Sequence, residues 1–131
     1  MKYLLDTNVF INLNISQNQI SSRQKSILDD PANEFYMSVA SIYEMAIKVR
    51  LGKLVFAYPL AYIVGTVRKR LKIKLLPVTE AYSLGILQVE RLPDHGDPFD
   101  LLILSQAKSL KMPVLTSDSK FPSYRGVTAI I

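Results

Sequence analysis

Short apolar runs that stop at polar, helix-starting residues constrain the fold of this chain most. Lys2 to Leu5 reads as a buried strand and ends at once in Asp6-Thr7-Asn8, residue types that open helices, and Val9 to Leu13 continues as a helical turn or more. The same punctuation returns along the chain. Glu34 to Ser38 is a short strand, followed by a helix over Val39 to Leu51 in which Ile42, Met45, Ala46 and Val49 recur at helical spacing and Gly52 is the stop. Further helices are predicted over Ser21 to Asp30 and Pro59 to Leu71, and a strand over Ile73 to Val78. Thr79 caps a helix to about Arg91. After a loop from Leu92 to Gly96, Asp97-Pro98 opens a helix to about Leu110, with Asp as cap and Pro at the first helical position. Pro113 to Thr116 is a strand ending at Ser117-Asp118, and Gly126 to Ile131 is the last. Helices alternate with apolar strands that show little polar alternation. That pattern predicts an α/β fold in three layers, a central, mostly parallel sheet flanked by helices, built as one domain over residues 1–131.

Composition narrows the chemistry. There is no cysteine and one histidine, His95, which excludes disulfides, thiolate zinc sites, iron–sulfur ligation, a cysteine nucleophile and multi-histidine metal sites. The five glycines leave no dinucleotide or P-loop fingerprint. A metal, if bound, is a hard one held by oxygen. Asp6 and Asn8 interrupt the N-terminal apolar stretch, and no run reaches the length of a membrane span, so the expectation is a cytoplasmic protein with no membrane segment. Lys and Arg number 16 against 11 acids, a net +5. Half of those cations (Lys48, Arg50, Lys53, Arg68, Lys69, Arg70, Lys72 and Lys74) fall between Met45 and Thr79, where there is no acid. Clustered cations of this kind draw in nucleic acid and release its counterions. A solvated helix face has the same composition, and composition does not choose between the two.

Four acids sit at telling places. Asp6 follows the first strand, Glu44 lies in the helix after the second, Asp100 lies one turn into the helix that Asp97 opens, and Asp118 follows the strand over 113–116. In a parallel sheet the carboxyl ends of all strands share one edge, and helix N-terminal turns point to it. Each acid also has a plain structural use. Asp6 and Asp97 serve as caps, Asp100 favours a helix dipole, Glu44 pairs with Lys48 four residues on, and Asp118 makes a turn. Together, carboxylates gathered at one edge repel one another and raise each other's pKa, a strain that a cation such as Mg²⁺ or Mn²⁺ relieves. Such ions stabilise the oxygens of phosphodiester cleavage and activate water.

The segments LLDTNVFI (Leu4 to Ile11), SIYEMAIK (Ser41 to Lys48), HGDPFDLLILSQA (His95 to Ala107) and VLTSD (Val114 to Asp118) resemble the PIN-domain ribonucleases, and more closely the VapC toxins of bacterial type II toxin–antitoxin pairs. Order and spacing match over nearly the whole chain. The resemblance implies a Mg²⁺-dependent endoribonuclease, with Mn²⁺ as a possible substitute, whose metal is held by Asp6, Glu44, Asp100 and Asp118, with Asp97 assisting or only capping its helix. Thr7, Asn8, Thr116 and Ser117 are candidates to orient the acids, and Lys48, Arg50, Lys53, Arg68, Lys69 and Arg70 are candidates to hold RNA. One departure is visible: Leu101 stands where many relatives carry Arg.

The family further implies a VapB-like antitoxin whose C-terminal segment lies across the active site, and a homodimer. Tyr36, Tyr43, Phe56, Tyr58 and Tyr62 surround the helices that would form such a groove, although ordinary core is the expected place for them. His95 is expected to steady the turn before Asp97 rather than act as a base. Two other readings are open. One is a non-catalytic RNA-binding module whose acids are structural caps. The other, a phosphatase with Asp-x-Asp after its first strand, is disfavoured because Asn8 stands at the second position.

Overall fold

The computed structural model describes residues 1–131. In chain order it contains β1 (Lys2–Leu5), α1 (Thr7–Ile15), α2 (Ser22–Asp29), β2 (Glu34–Ser38), α3 (Val39–Arg50), α4 (Leu60–Arg70), β3 (Lys74–Leu76), α5 (Glu80–Gly85), α6 (Pro98–Leu110), β4 (Val114–Leu115) and β5 (Ala129–Ile130). Short 3₁₀ turns cover Gln17–Gln19, Ile86–Gln88 and Phe121–Ser123. The five strands form one sheet in the order β3-β2-β1-β4-β5. Every neighbouring pair is parallel, so the sheet is parallel throughout.

Parallel pairing requires long crossovers, which is why helices separate most of the strands. From β1 the chain moves outward through β2 and β3, then returns to the other side of β1 to lay down β4 and β5. The carboxyl ends of β1 and β4 therefore border the point where strand order reverses, and a crevice forms outside the sheet there. Leu5 pairs with Met37 on one side and Leu115 on the other, so these three strand ends are level. The Asp6 N–H donates to the Leu115 carbonyl at 2.9 Å and fixes the start of the next turn.

Successive strand residues face opposite sides of the sheet. Leu5 joins Val9, Phe10, Met37, Met45 and Val64 in the core between the sheet and α1, α3 and α4. Leu4 joins Ile103, Leu104, Val114 and Phe121 on the α6 side. Both leucines are fully buried, which accounts for the missing polar alternation in the strands.

Helix starts follow their sequence signals with one exception. Ser21, Ser38, Thr79 and Asp97 each accept a backbone N–H in the first turn of the following helix. Asp6 stands at the cap position of α1 but makes no capping bond with its side chain. The helix expected from Thr79 to Arg91 is shorter, ending as α5 at Gly85. Glycine is a weak helix residue, and the Tyr82 carbonyl accepts the Ser105 hydroxyl at 2.8 Å. β3 stops before Pro77, which has no N–H to donate. Of the aromatics expected in the core, Tyr43, Tyr58 and Tyr62 lie mostly in solvent instead. No helix is long and apolar enough to cross a membrane.

One buried side chain ties the late strands to α2. Gln24 donates from Nε2 to the carbonyls of Thr116 and Ile130, both at 2.8 Å. Replacing it by Leu strips the Thr116 carbonyl of a buried donor, so Gln24→Leu is expected to cost about 1–3 kcal/mol. Urea denaturation should show a lower midpoint with an unchanged slope. A midpoint equal to that of the wild type would show that the pair of bonds contributes nothing.

Candidate functional site

The acids meet at the reversal point. Asp6, buried at the end of β1, accepts the Thr116 hydroxyl on Oδ2 at 2.8 Å. The same Thr116 oxygen accepts the Asp118 N–H at 2.9 Å. One threonine thus fixes the β1 acid and the backbone of the β4 acid together. Asp118 is braced again where its Oδ1 accepts the Lys120 N–H at 2.9 Å. Asp100 stands in the first turn of α6, whose start is set by Asp97: its Oδ1 accepts the N–H groups of Phe99 at 2.9 Å and Asp100 at 3.1 Å. Asp97 itself is exposed and works as a cap.

His95 closes the cluster. Its Nε2 lies 2.9 Å from Asp100 Oδ2 and 3.0 Å from Asp118 Oδ2, while Nδ1 is hydrogen-bonded to the Tyr124 hydroxyl. The ring is also packed edge-on against Phe121. The loop histidine therefore does more than steady a turn: it bridges two of the acids. Tyr124 was not among the residues singled out from the sequence. It lies in the last thirty positions with no motif around it, and only the return of the chain past β4 brings it to His95.

Glu44 approaches from α3 and is buried. Its Oε2 pairs with Lys48 Nζ at 3.0 Å, and Oε1 has no hydrogen-bond partner. Thr7 donates to the Ser41 hydroxyl at 2.9 Å, which links the first turns of α1 and α3. Asn8 and Ser117 are exposed and their side chains bond none of the acids, so of the four candidate orienting residues only Thr116 reaches an acid with its side chain.

The electrostatics are those of crowded, desolvated carboxylates. Burial pushes the Asp6 carboxyl up to about 6; the Glu44 and Asp118 charges add to the rise and the Thr116 hydrogen bond opposes it. Burial likewise lifts Asp100 to about 7, helped by the Asp6 and Asp97 charges and opposed by His95. An unpartnered buried Glu44 oxygen and two carboxyls held up by burial and repulsion are the signature of a site short of positive charge. One nitrogen of His95 and one oxygen each of Asp100 and Asp118 lie within 4.8 Å of one another, close enough to share an ion. An oxygen-rich donor set of this kind fits a hard divalent cation.

The cations are placed differently from the acids. Lys48 reaches the site through Glu44. Arg50 ends α3 and Lys53 follows it, while Arg68, Lys69 and Arg70 occupy the last turn of α4. α4 leads into the amino end of β3, so Arg70, with Lys72 and Lys74, lines a concavity beside Asp29, Asp30 and Glu34 at the opposite edge of the sheet from the acids. The acid-free stretch is thus divided between two edges instead of forming one surface around the site. Leu101, where relatives carry Arg, packs against the α6 side of the core.

A family profile of the PIN domain matches residues 3–127, and the chain belongs to that family. No curated protein sequence matches the chain. Among solved structures it is similar to VapBC2 from Rickettsia felis bound to a DNA fragment from their promoter, with 14% identity and TM-score 0.72 over 99% of this chain and 98% of that one. It is similar also to VapBC-5 from Mycobacterium tuberculosis, a member of the VapBC family of toxin–antitoxin systems, with 20% identity and TM-score 0.62 over 98% and 97% of the two chains. VapBC-1 from nontypeable Haemophilus influenzae gives 22% identity and TM-score 0.62 over 99% and 97%. At these identities the likeness is one of fold.

The raised carboxyls have a pH consequence. Folded Asp6 and Asp100 hold protons more tightly than they do unfolded, so they favour folding at low pH and that stability is lost as pH rises. In metal-free protein, Tm should fall between about pH 4, the ordinary aspartate range, and about pH 7, where folded Asp100 titrates. Thermal melts in EDTA across this window test it. The Asp6→Asn/Asp100→Asn double variant should lack the fall; an equal fall in that variant would assign it to other groups.

Proposed function

We propose that this chain is a divalent-metal-dependent endoribonuclease, the toxin of a VapBC-type pair, working in the cytoplasm. The observation that carries this reading is the convergence of Asp6, Glu44, Asp100 and Asp118 at the strand-order reversal, with buried charge left uncompensated. The PIN-domain membership supports a nuclease, and VapBC complexes among the structural neighbours support a VapB-like antitoxin as partner. An apolar groove lined by Val49, Leu54, Val55, Phe56 and Tyr58 is available to such a partner or to a second copy in a homodimer.

Asp6, Glu44, Asp100 and Asp118 would hold Mg²⁺, or Mn²⁺ in its place. When bound, the ion supplies positive charge to the phosphodiester oxygens and lowers the pKa of water. The chain supplies the rest. Thr116 keeps Asp6 and Asp118 in register, Asp97 fixes the turn that presents Asp100, and Lys48 stands beside Glu44 where a backbone phosphate would approach. Of the cations proposed to hold RNA, Lys48 is the one that pairs with an acid of the site, which supports its assignment to the substrate there, while Arg50, Lys53, Arg68, Lys69 and Arg70 would hold RNA further along.

Purified protein is expected to cleave RNA with Mg²⁺ and to stop with EDTA. Asp6→Asn should lower cleavage roughly 100-fold or more, since it removes a charge that acts at the reacting centre. The same variant should melt at a higher temperature than the wild type in EDTA, because a neutral amide removes a desolvated charge and still accepts the Thr116 hydroxyl. Full cleavage by Asp6→Asn would sink the mechanism. Salt-sensitive RNA binding without metal-dependent cleavage would instead favour the non-catalytic RNA-binding reading.

A further inference from the structure

We propose that His95 Nε2 is itself a ligand of the divalent cation, and that Tyr124 sets the imidazole tautomer that permits it. The inference rests on the metal-site reading above and adds a nitrogen to a set of donors otherwise made of oxygen. Nε2 stands 2.9 and 3.0 Å from oxygens of two carboxylates that come from different elements, the first turn of α6 and the loop after β4. Neighbouring ligands in an octahedron with bonds of about 2.1 Å are separated by roughly 3.0 Å, so Nε2 already stands from each of the two oxygens at the spacing of adjacent ligands. A single Nε2 proton serves one of the two carboxylates well, and a cation serves both. The unpartnered, buried Oε1 of Glu44 is an independent sign that the same cluster lacks a cation.

The ring is placed for this role. Nε2 lies within hydrogen-bond distance of both carboxylates, Nδ1 is hydrogen-bonded to the Tyr124 hydroxyl, and that hydroxyl also lies 3.3 Å from the His95 carbonyl. An imidazole that ligates through Nε2 carries its proton on Nδ1, where a neighbouring acceptor must receive it. Tyr124 is that acceptor: its oxygen is placed to receive Nδ1–H while its own proton goes to the His95 carbonyl. The ring need not move, being held by Phe121 and Tyr124 with its side chain 9% exposed. A single imidazole shifts preference away from Mg²⁺ toward later divalent ions.

His95 is the only histidine, so labelling this one residue type marks one site. The protein loaded with Mn²⁺ alone is examined by pulsed electron paramagnetic resonance. A directly bound ¹⁴N coupling is expected, replaced by a ¹⁵N coupling when the protein is made with ¹⁵N-histidine; the wild type alone suffices, so a folding defect in a variant does not block the test. His95→Gln should lose the coupling and bind Mn²⁺ about 10-fold more weakly, with a smaller loss for Mg²⁺. Tyr124→Phe should keep the coupling and weaken Mn²⁺ binding. Bound Mn²⁺ without nitrogen coupling overturns the proposal and leaves the carboxylate site standing. A wild type that binds no Mn²⁺ overturns both.

Discussion

Repulsion among buried carboxylates is the constraint around which the rest of this molecule is arranged. Asp6 and Asp100 are pushed up by desolvation and by neighbouring carboxylates, and Glu44 buries an oxygen that has no hydrogen-bond partner. A charged group taken from water is costly unless it is paired, and breaking such pairing is more costly than forming it is rewarding. The structure meets this cost with few partners: a threonine hydroxyl for Asp6, one imidazole between Asp100 and Asp118, and a lysine on Glu44. A fold built only for stability would replace these acids by apolar or amide side chains. Their retention at one point is the physical argument for a ligand that rewards them.

The scaffold around the cluster is correspondingly stiff. Asp6 follows a strand end, Asp100 lies in a helix first turn and Asp118 lies in the short loop after β4, and the backbone at each of these positions is fixed by a hydrogen bond. The Asp6 N–H is held by Leu115, the Asp118 N–H by Thr116 and the Asp100 N–H by Asp97. Gln24 secures the Thr116 carbonyl from below, so even the residue that orients the acids is itself oriented. Sites on such elements hold their geometry better than sites on loops. His95 comes from the longer loop before α6, and aromatic packing on Phe121 and Tyr124 holds its ring in place.

Much of this was legible before any coordinates. Strand ends at Asp6 and Asp118, the Asp97-Pro98 opening and the parallel sheet all follow from local chemistry that short stretches carry, because caps, prolines and apolar runs act within a few residues. What was not legible depends on contacts across the chain. Asp6 occupies a cap position, yet its carboxylate goes to a threonine 110 residues away, and no local rule anticipates that. Tyr124 and Gln24 carry no periodic or motif signal, since what they contribute is contact with residues distant in sequence. The basic stretch was contiguous in sequence and is divided in space, because a helix carries its last turn to the far edge of the sheet.

The placement of β1 beside β4 governs when the site comes into being. Asp6 is among the first residues of the chain, whereas Thr116, Asp118 and Tyr124 are among the last, and the strand that joins them pairs across more than a hundred intervening positions. Contacts of such long sequence separation form late in folding, after the loops they close have been ordered. During synthesis, a chain that lacks its final segment has Asp6 at the edge of an unfinished sheet, without the Thr116 hydroxyl that it accepts and without Asp118. The cluster is therefore a property of the completed molecule alone. Order of assembly is thus written into topology, because the donors come together only when the last strands are laid beside the first.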